Sequence, residues 1–582
     1  MDNSEKTMLE SGLCLRKNNP IILRLFSSKK YISMLFLAVI IFTGVIRIII
    51  SYNYTSITFD EPFHVYHTAR LWNGNGFDVH DEQPGLTRIV FGVIPYIKSR
   101  ISKNNTVKVN YRTILWARYG NLIFFIVLCI GTFLLANYIF SEYTGVLSVF
   151  FLSLDPTILG HSALATVDIA VTCCLPLGIY LFLKFITEPS RNNSAMLSLM
   201  LAVSLMSKFS ILPFLGLSYM IILLLAIYHR KIDKHNYLLI MKNLFLVLIC
   251  SVFILWGFYG FQVGPILSDN AFHLMKDKYS DNGVFSFFIN LAAQPIFPLN
   301  AYIAGIARVA FHNSHGHTGY LLGKVSKLGW WYYFPIAIVV KTILVSLLFS
   351  FLGAVLIIKH YIKSRQWLFL VPVAGGVAII LFSMCSNLNI GIRHVLPTYP
   401  FMMISAGYAG FYLWHNKNVY VKSILIMLII SNVFSSLLAS DNYIAYFNLI
   451  GSNHPENILV DSNLDWGQDY DKLIDEIKKR NINKIHIVIH GHSVLQEKVN
   501  TLKDSCVFCH IPKGEENFFV KLPLNPYQKV TGWIAISYTP FKMNNGYSWL
   551  KNFKPKKIVG KTILLFHIPP AKRSVMHYNK TD

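Results

Sequence analysis

Residues 144–186 read TGVLSVFFLSLDPTILGHSALATVDIAVTCCLPLGIYLFLKFI, two apolar runs joined by a turn that carries Asp155, His161 and Asp168. Each run is long enough to cross the roughly 30 Å hydrocarbon core of a bilayer as a helix. Ionisable groups at such a junction cost about 3 kcal/mol each unless they are paired or face water. The stretch therefore predicts a polytopic membrane protein with polar groups gathered at one membrane face.

The same texture runs outward from Ile32 to Ser440. Of 582 residues, 53% are apolar and 14% charged, against roughly 25% charged in an ordinary soluble domain, which excludes a purely soluble protein. Eleven spans are read, at 33–51, 117–139, 144–160, 164–186, 196–207, 210–228, 240–260, 335–358, 367–384, 397–415 and 420–439. Lys and Arg number 53 against 29 Asp and Glu, a net charge of +24, which nucleic-acid binding or membrane topology can each produce. Placement decides between them. Basic residues crowd the arm before the first span (Lys6, Arg16, Lys17, Arg24, Lys29, Lys30) and recur at Lys184 and Arg191, Arg230 to Lys242, Lys359 to Arg365, and Lys417 to Lys422. These are alternate returns of the chain, the positive-inside pattern, so no nucleic acid is needed to explain the charge.

The organisation expected is a multi-pass protein of the plasma (inner) membrane. Residues 1–32 form a cytoplasmic arm, 33–440 a transmembrane domain with external loops 52–116 and 261–334, and 441–582 a small extracytoplasmic α/β domain. No small-residue cleavage site follows the first apolar run, which reads as a retained span. Arg47 near its outer end is expected to snorkel to headgroups, and Leu86 to Ile97, flanked by Arg70, Arg88, Lys98 and Arg100, to lie as an interfacial helix. In the last domain a helix is expected to begin at Asp465, with Gln468 completing a capping-box-like start and Trp466, Tyr470, Leu473 and Ile477 on one apolar face. Strands are expected near Lys484–His490, Trp533–Tyr538 and Thr562–Ile568.

The chemistry-bearing residues fall at the outer ends of the spans: Asp60 and Glu61, then Asp155, His161 and Asp168, then Lys208, then Arg393 and His394. Each has a simple reading too. Asp60 can cap the following helix, and Lys208 can snorkel to lipid phosphate. Arg393, in a polar cluster with Asn387 and Asn389, can clamp a phosphate through two hydrogen bonds. A transporter would place its site near the midplane of two related halves, and no internal repeat is found. Gly560-Lys561-Thr562 resembles the end of a phosphate-binding loop, but Pro555 stands where its first glycine is required.

Taken in order, Asp60-Glu61-Pro62, Asp155-Pro156-Thr157-Ile158-Leu159-Gly160-His161 through Asp168, Lys208-Phe209-Ser210, Gly329-Trp330-Trp331-Tyr332-Tyr333-Phe334-Pro335, Arg393-His394-Val395-Leu396-Pro397 and Asp461-Ser462-Asn463-Leu464-Asp465-Trp466-Gly467-Gln468 resemble glycosyltransferase family 39. That family contains the protein O-mannosyltransferases and the bacterial enzymes that add aminoarabinose to lipid A. The resemblance runs from about residue 58 to 570 and implies a GT-C fold, a bundle of about eleven transmembrane helices with interfacial helices and external loops over a cavity. It also implies a sugar donor carried on a polyprenyl phosphate and a lipid, glycan or protein acceptor outside the cytoplasm. Asp60 matches the family's catalytic acidic position and Asp168 the acidic residue of its second motif. Lys208 and Arg393 match basic positions expected to hold the carrier phosphate.

The residue chemistry is compatible with that assignment. A carboxylate can orient or deprotonate an acceptor hydroxyl, and cations stabilise charge developing on the departing phosphate. One catalytic carboxylate suffices for a single inverting displacement of a hexosyl or pentosyl group. The candidate catalytic residues are therefore Asp60, Glu61 and Asp168, with Lys208, Arg393 and His394 for the donor phosphate and Asp155, His161 and Asp461 for substrate. The segment His80 to Leu86 departs from the family's first-loop pattern, Ile343 stands where proline is common, and loop 261–334 is too short for the β-rich insertion of eukaryotic members, which points to a bacterial type. His312, His315 and His317 have the density of a divalent-metal site, with Asp60 or Glu61 as a fourth ligand, and also the look of solvated loop histidines. Cys506 and Cys509 sit in a Cys-Val-Phe-Cys-His pattern without cytochrome-like surroundings and read as a local disulfide, with free thiols or zinc ligands as the alternatives. A transporter of lipid-linked sugars and a membrane-anchored scaffold are the alternatives to an enzyme; a pure anchor would need no intramembrane polar residues.

Overall fold

A computed structural model describes residues 20–103, 106–229, 234–267, 272–273, 283–490 and 526–570. Every expected span contains helix. In chain order these are α1 (Pro20–Ser51), α2 (Glu61–Arg70) and α3 (Leu86–Ile101) of the first loop, α4 (Tyr111–Ile139), α5 (Glu142–Leu154), α6 (Pro156–Ser162), α7 (Asp168–Thr187), α8 (Arg191–Leu205), α9 (Ile211–Tyr228), α10 (Lys234–Phe258), α11 (Gly283–Ala292), α12 (Asn300–His315), α13 (Tyr333–Lys341), α14 (Leu344–Ser364), α15 (Val371–Met384), α16 (Tyr399–Trp414) and α17 (Val419–Leu438). Among the described residues eight helices are long and apolar enough to cross a membrane, nine if α5 and α6 count as one bent span. The expected spans 196–207 and 397–415 form helices of only 15 and 16 residues.

Two expected spans are broken, each for a local reason. At Asp155 the chain bends by 69°, because Pro156 cannot continue the hydrogen-bond ladder of α5 and the Asp155 carboxylate accepts the amides of Thr157 and Ile158 to start α6. The span expected at 335–358 is interrupted at Thr342 and Ile343, both extended in ψ. Glycines let the helices approach closely: a Cβ on Gly353 of α14 would lie 1.8 Å from the Ser405 carbonyl of α16, and one on Gly407 would lie 2.4 Å from Ser148 Oγ of α5. Arg47 does not snorkel. Its guanidinium donates to the Ser436 carbonyl and hydroxyl and lies over Tyr443, tying α1 to α17.

The C-terminal part contains α18 (Tyr470–Lys479), α19 (Tyr538–Met543) and a four-stranded sheet of β5 (Ile485–Val488), β6 (Gly532–Ser537), β7 (Lys557–Val559) and β8 (Ile563–Ile568), in the order β5-β6-β8-β7. The short ladders β1–β2 and β3–β4, at 263–264 with 297–298 and 319–321 with 324–326, precede them in the chain. Strand β5 is parallel to β6, while β8 is antiparallel to both β6 and β7. Side-chain alternation divides the sheet between two cores. Ile534, Ile536, Leu564, Phe566 and Ile568 join the core of the bundle, and Ala535, Ile563 and Leu565 pack on Tyr470, Leu473, Ile474 and Ile477 of α18.

The helix expected at Asp465 begins instead at Tyr470. Gln468 Oε1 accepts the Trp466 amide, and the Asp465 carboxylate accepts the Thr539 amide, so neither residue caps the helix. Trp466 leaves the α18 face and packs with Leu164, Ile444 and Phe59. Residues 441–469 are bound into the bundle, since Lys341 Nζ donates to the carbonyls of Ile444, Tyr446 and Asn463 at 2.6–2.7 Å. Cys506 and Cys509 lie outside the described residues.

Candidate active site

Five stretches distant in sequence meet at the N-terminal ends of α4, α7 and α9. The first is the loop before α2. Its Ser56 and Phe59 amides donate to the carbonyls of Gln468 and Trp466, which docks it on the 461–469 segment. Glu61 fixes it from the other side. The carboxylate takes two bonds of 2.7 Å from Arg118 of α4 and accepts the amides of Thr58 and Ala165. Glu61 and Arg118 are fully buried, so this adjacent member of the acidic pair is a structural tie with its oxygens occupied. Asn121 secures the facing 161–168 turn by donating to the carbonyls of His161 and Leu164.

Asp60, thus positioned, does not cap α2; its carboxylate pairs with Arg393. Arg393 comes from a short 3-10 turn, Ile392–His394, held by the Ile392 amide on Asn463 Oδ1 and by Ser462 Oγ on the Ile390 carbonyl. Gly391 is required there, because its φ is +155° and a Cβ would meet Ser462 Oγ at 2.0 Å. The guanidinium stands 4.5 Å over the Trp466 ring, a cation–π shelf, and its Nε is buried without a partner among the described residues. Burial disfavours the charge on Arg393, but the carboxylates of Asp60, Asp168 and Asp461 outweigh it and hold the group protonated above its ordinary value.

A second pair lies beside the first. Lys208, in the turn between α8 and α9, donates to Asp168 Oδ1 at 2.8 Å, and Thr166 Oγ1 holds the other oxygen. The exposure of the four side chains is graded: 23% for Asp60, 12% for Arg393, 10% for Lys208 and 1% for Asp168. Asp60 is thus the open carboxylate and Asp168 the buried counter-charge that keeps Lys208 in place. His394 sits behind them, its Nε2 buried and unpartnered among the described residues, and burial together with the Lys208 and Arg393 charges pushes it well below the ordinary histidine value. It can offer a hydrogen bond there but no charge.

The remaining candidates divide. Asp155 is the buried cap of α6, and His161 packs edge-on to Trp466 with ring centroids 5.8 Å apart. Asp461 faces the pairs from the C-terminal side, 3.5 Å from His490. The three loop histidines do not converge: His312 Nε2 and His317 Nδ1 are 3.2 Å apart, whereas His315 turns back to the Phe311 carbonyl. Among the described residues no three His, Cys, Asp or Glu side chains stand close enough to hold a metal ion.

The sequence assigned no site role to Arg118, Trp466, Asn463 or His490. Arg88 was expected only as one of the basic residues flanking an interfacial helix. Arg88 is buried, making two 2.8 Å bonds to Asp81 and one to His64 Nδ1, which anchors the departing segment His80–Leu86 to α2 and α3. Only the acidic partner at suitable depth could have signalled this. A large cavity of about 690 Å³ lies elsewhere, between α1, α5, α16 and α17, lined by apolar side chains such as Phe36, Val146, Phe411 and Leu425.

Residues 107–256 match the family described as dolichyl-phosphate-mannose-protein mannosyltransferase. The oligosaccharyltransferase of Archaeoglobus fulgidus in its apo form is similar in structure, with 12% identity, a TM-score of 0.50, and 72% of this chain and 56% of that one covered. The chain has the GT-C fold. The same archaeal enzyme tethered to an acceptor peptide containing the NVT sequon gives 11% identity, 87% and 62% coverage and a TM-score of 0.50. ArnT from Cupriavidus metallidurans bound to undecaprenyl phosphate is matched at 11% identity over 91% of this chain and 97% of that one, with a TM-score of 0.43. The chain spans little more than half the length of the apo archaeal structure. No curated protein matches it in sequence. Within the GT-C frame the matched segment contains α4 to α9, and so Arg118, Asp155, His161, Asp168 and Lys208.

Proposed function

We propose that the chain is an integral-membrane glycosyltransferase that moves one sugar from a polyprenyl-phosphate donor to a lipid, glycan or protein hydroxyl on the extracytoplasmic side. The observation that carries this reading is the pair of adjacent, partly open cations, Arg393 and Lys208, each held by a carboxylate, with Asp60 the more exposed acid. The matched family is named for a lipid-phosphate sugar donor, which supports the same substrate class.

In the proposed reaction Arg393 exchanges Asp60 for the donor phosphate, and Lys208 adds a second charge-assisted bond. Cations preorganised where negative charge develops stabilise the departing phosphate in the transition state. Asp60, freed by that exchange, receives the acceptor hydroxyl and aligns it behind C1 for a single inverting displacement. His394, neutral and buried beside the cations, supplies a hydrogen bond to the same phosphate.

The test is turnover by the purified protein in lipid nanodiscs, supplied with polyprenyl phosphates bearing a hexose, a pentose or an aminopentose. Release of polyprenyl phosphate with transfer to an acceptor is expected for one of them. Arg393→Gln and Lys208→Gln should each weaken donor use roughly 10- to 100-fold, the worth of a lost charge-assisted hydrogen bond. Unchanged donor kinetics in both variants would remove the phosphate assignment, and movement of intact donor across the membrane without transfer would favour a transporter.

A further inference from the structure

The proposed displacement leaves one proton without a destination. The acceptor hydroxyl must lose it as oxygen bonds to C1, and a carboxylate is in general a weaker base than an imidazole. The wall facing Asp60 carries another group. His490 follows β5, its amide donating to Ser537 Oγ at 2.9 Å, which fixes the backbone. The imidazole stacks on Phe59, the residue before Asp60, with centroids 5.2 Å apart and planes 18° from parallel. Its Nε2 lies 3.5 Å from Asp461 Oδ1, and the side chain is 23% exposed. An imidazole oriented by a carboxylate beside a reacting oxygen is the usual base-and-orienter arrangement.

Resting on the glycosyltransferase reading, we infer that His490 takes the acceptor's proton, with Asp461 orienting its ring and Asp60 holding the hydroxyl. The acceptor O–H bond breaks toward the neutral imidazole, giving an imidazolium. The acceptor oxygen bonds to C1, the C1–O bond to phosphate breaks, and its electron pair leaves on the polyprenyl phosphate. Water then takes the proton from His490, which completes the balance.

The charges facing His490 suit the role. Burial lowers its hold on a proton, but the carboxylates of Asp461, Asp465 and Asp60 reverse this and raise it above the ordinary 6.5. His317 approaches from the loop after α12 and is itself lowered, by burial foremost, so it adds little opposing charge. Asp461 stays ionised: burial works against it, and His490 and Arg393 prevail. A base whose affinity for protons lies near the working pH combines availability with strength.

The neutral, competent imidazole grows as pH rises through a value above 6.5, so kcat/KM should climb along a limb there and then level. Asp461→Asn removes the stabilising anion and should move that limb to lower pH. His490→Gln should lose roughly 10²–10⁴-fold in kcat/KM, together with the limb, while donor KM is kept. A second readout needs no turnover: diethyl pyrocarbonate modifies neutral imidazole, and mass spectrometry of the His490 peptide against pH should give a midpoint above 6.5 in the natural protein and a lower one in Asp461→Asn. His490→Gln that keeps the limb, or a labelling midpoint at or below 6.5, overturns the inference. A natural protein that transfers no sugar while the labelling shift persists would instead overturn the glycosyltransferase reading.

Discussion

Asp60 and Glu61 are neighbours with the same chemistry and opposite employment. Glu61 is buried on Arg118, a residue 57 positions away, and breaking a buried pair by neutralising one partner costs about 3–5 kcal/mol. Glu61→Gln should therefore lower the thermal unfolding temperature in detergent and the yield of folded protein. Asp60→Asn should leave unfolding nearly unchanged and cut sugar transfer roughly 10- to 100-fold, because the amide cannot hold an acceptor hydroxyl as its hydrogen-bond donor with the strength of a carboxylate. Wild-type transfer by Asp60→Asn would remove Asp60 from the site. The pair itself is legible in the sequence. Which member is open and which is tied is not, because that depends on a guanidinium one helix away.

At the scale of elements, apolar runs translate well into helices, since a backbone in hydrocarbon has no other way to satisfy its own hydrogen bonds within one segment. The expected topology is tested by single engineered cysteines: exposed Asn75 and His315 should react with an impermeant maleimide from outside, and exposed Lys363 only after permeabilisation. Outside labelling at 363 would break the alternation of the spans. The helix at Tyr470 was misplaced for a tertiary reason. Asp469, just before it, spends its buried carboxylate on Asn442, Lys472, the Lys561 amide and Thr562 Oγ1, which latches the β7–β8 turn to the post-membrane segment. Gly560 is needed in that turn, with φ at +58° and a Cβ that would stand 2.2 Å from Asp469 Cγ. Asp469→Ala should speed amide exchange across β7 and β8 by hydrogen–deuterium mass spectrometry while α18, packed through its own apolar face, stays protected.

Over the whole molecule, Lys341 joins the bundle to the segment that builds the site. Lys341→Met would strip three carbonyls of their donor, each worth about 1–3 kcal/mol when left unpaired. Residues 441–464 should then exchange faster, the unfolding temperature should fall, and donor KM should rise, because Asn463 also holds the turn of Arg393. A variant with altered exchange but unchanged donor KM would show that the site is positioned without this tie. The sequence by itself determined the membrane character, the helical runs, and the presence of Asp60, Asp168, Lys208 and Arg393 at span ends, since hydrophobic length and the cost of intramembrane charge act locally. Tertiary structure alone decided that Arg393 meets Asp60 and Lys208 meets Asp168, that Trp466 turns from a helix face to a shelf under the guanidinium, and that His490 faces the pocket beside them. Each of those contacts joins residues 29 to 333 positions apart, and ion pairing, stacking and proton affinity depend on distances that no local pattern of residues encodes.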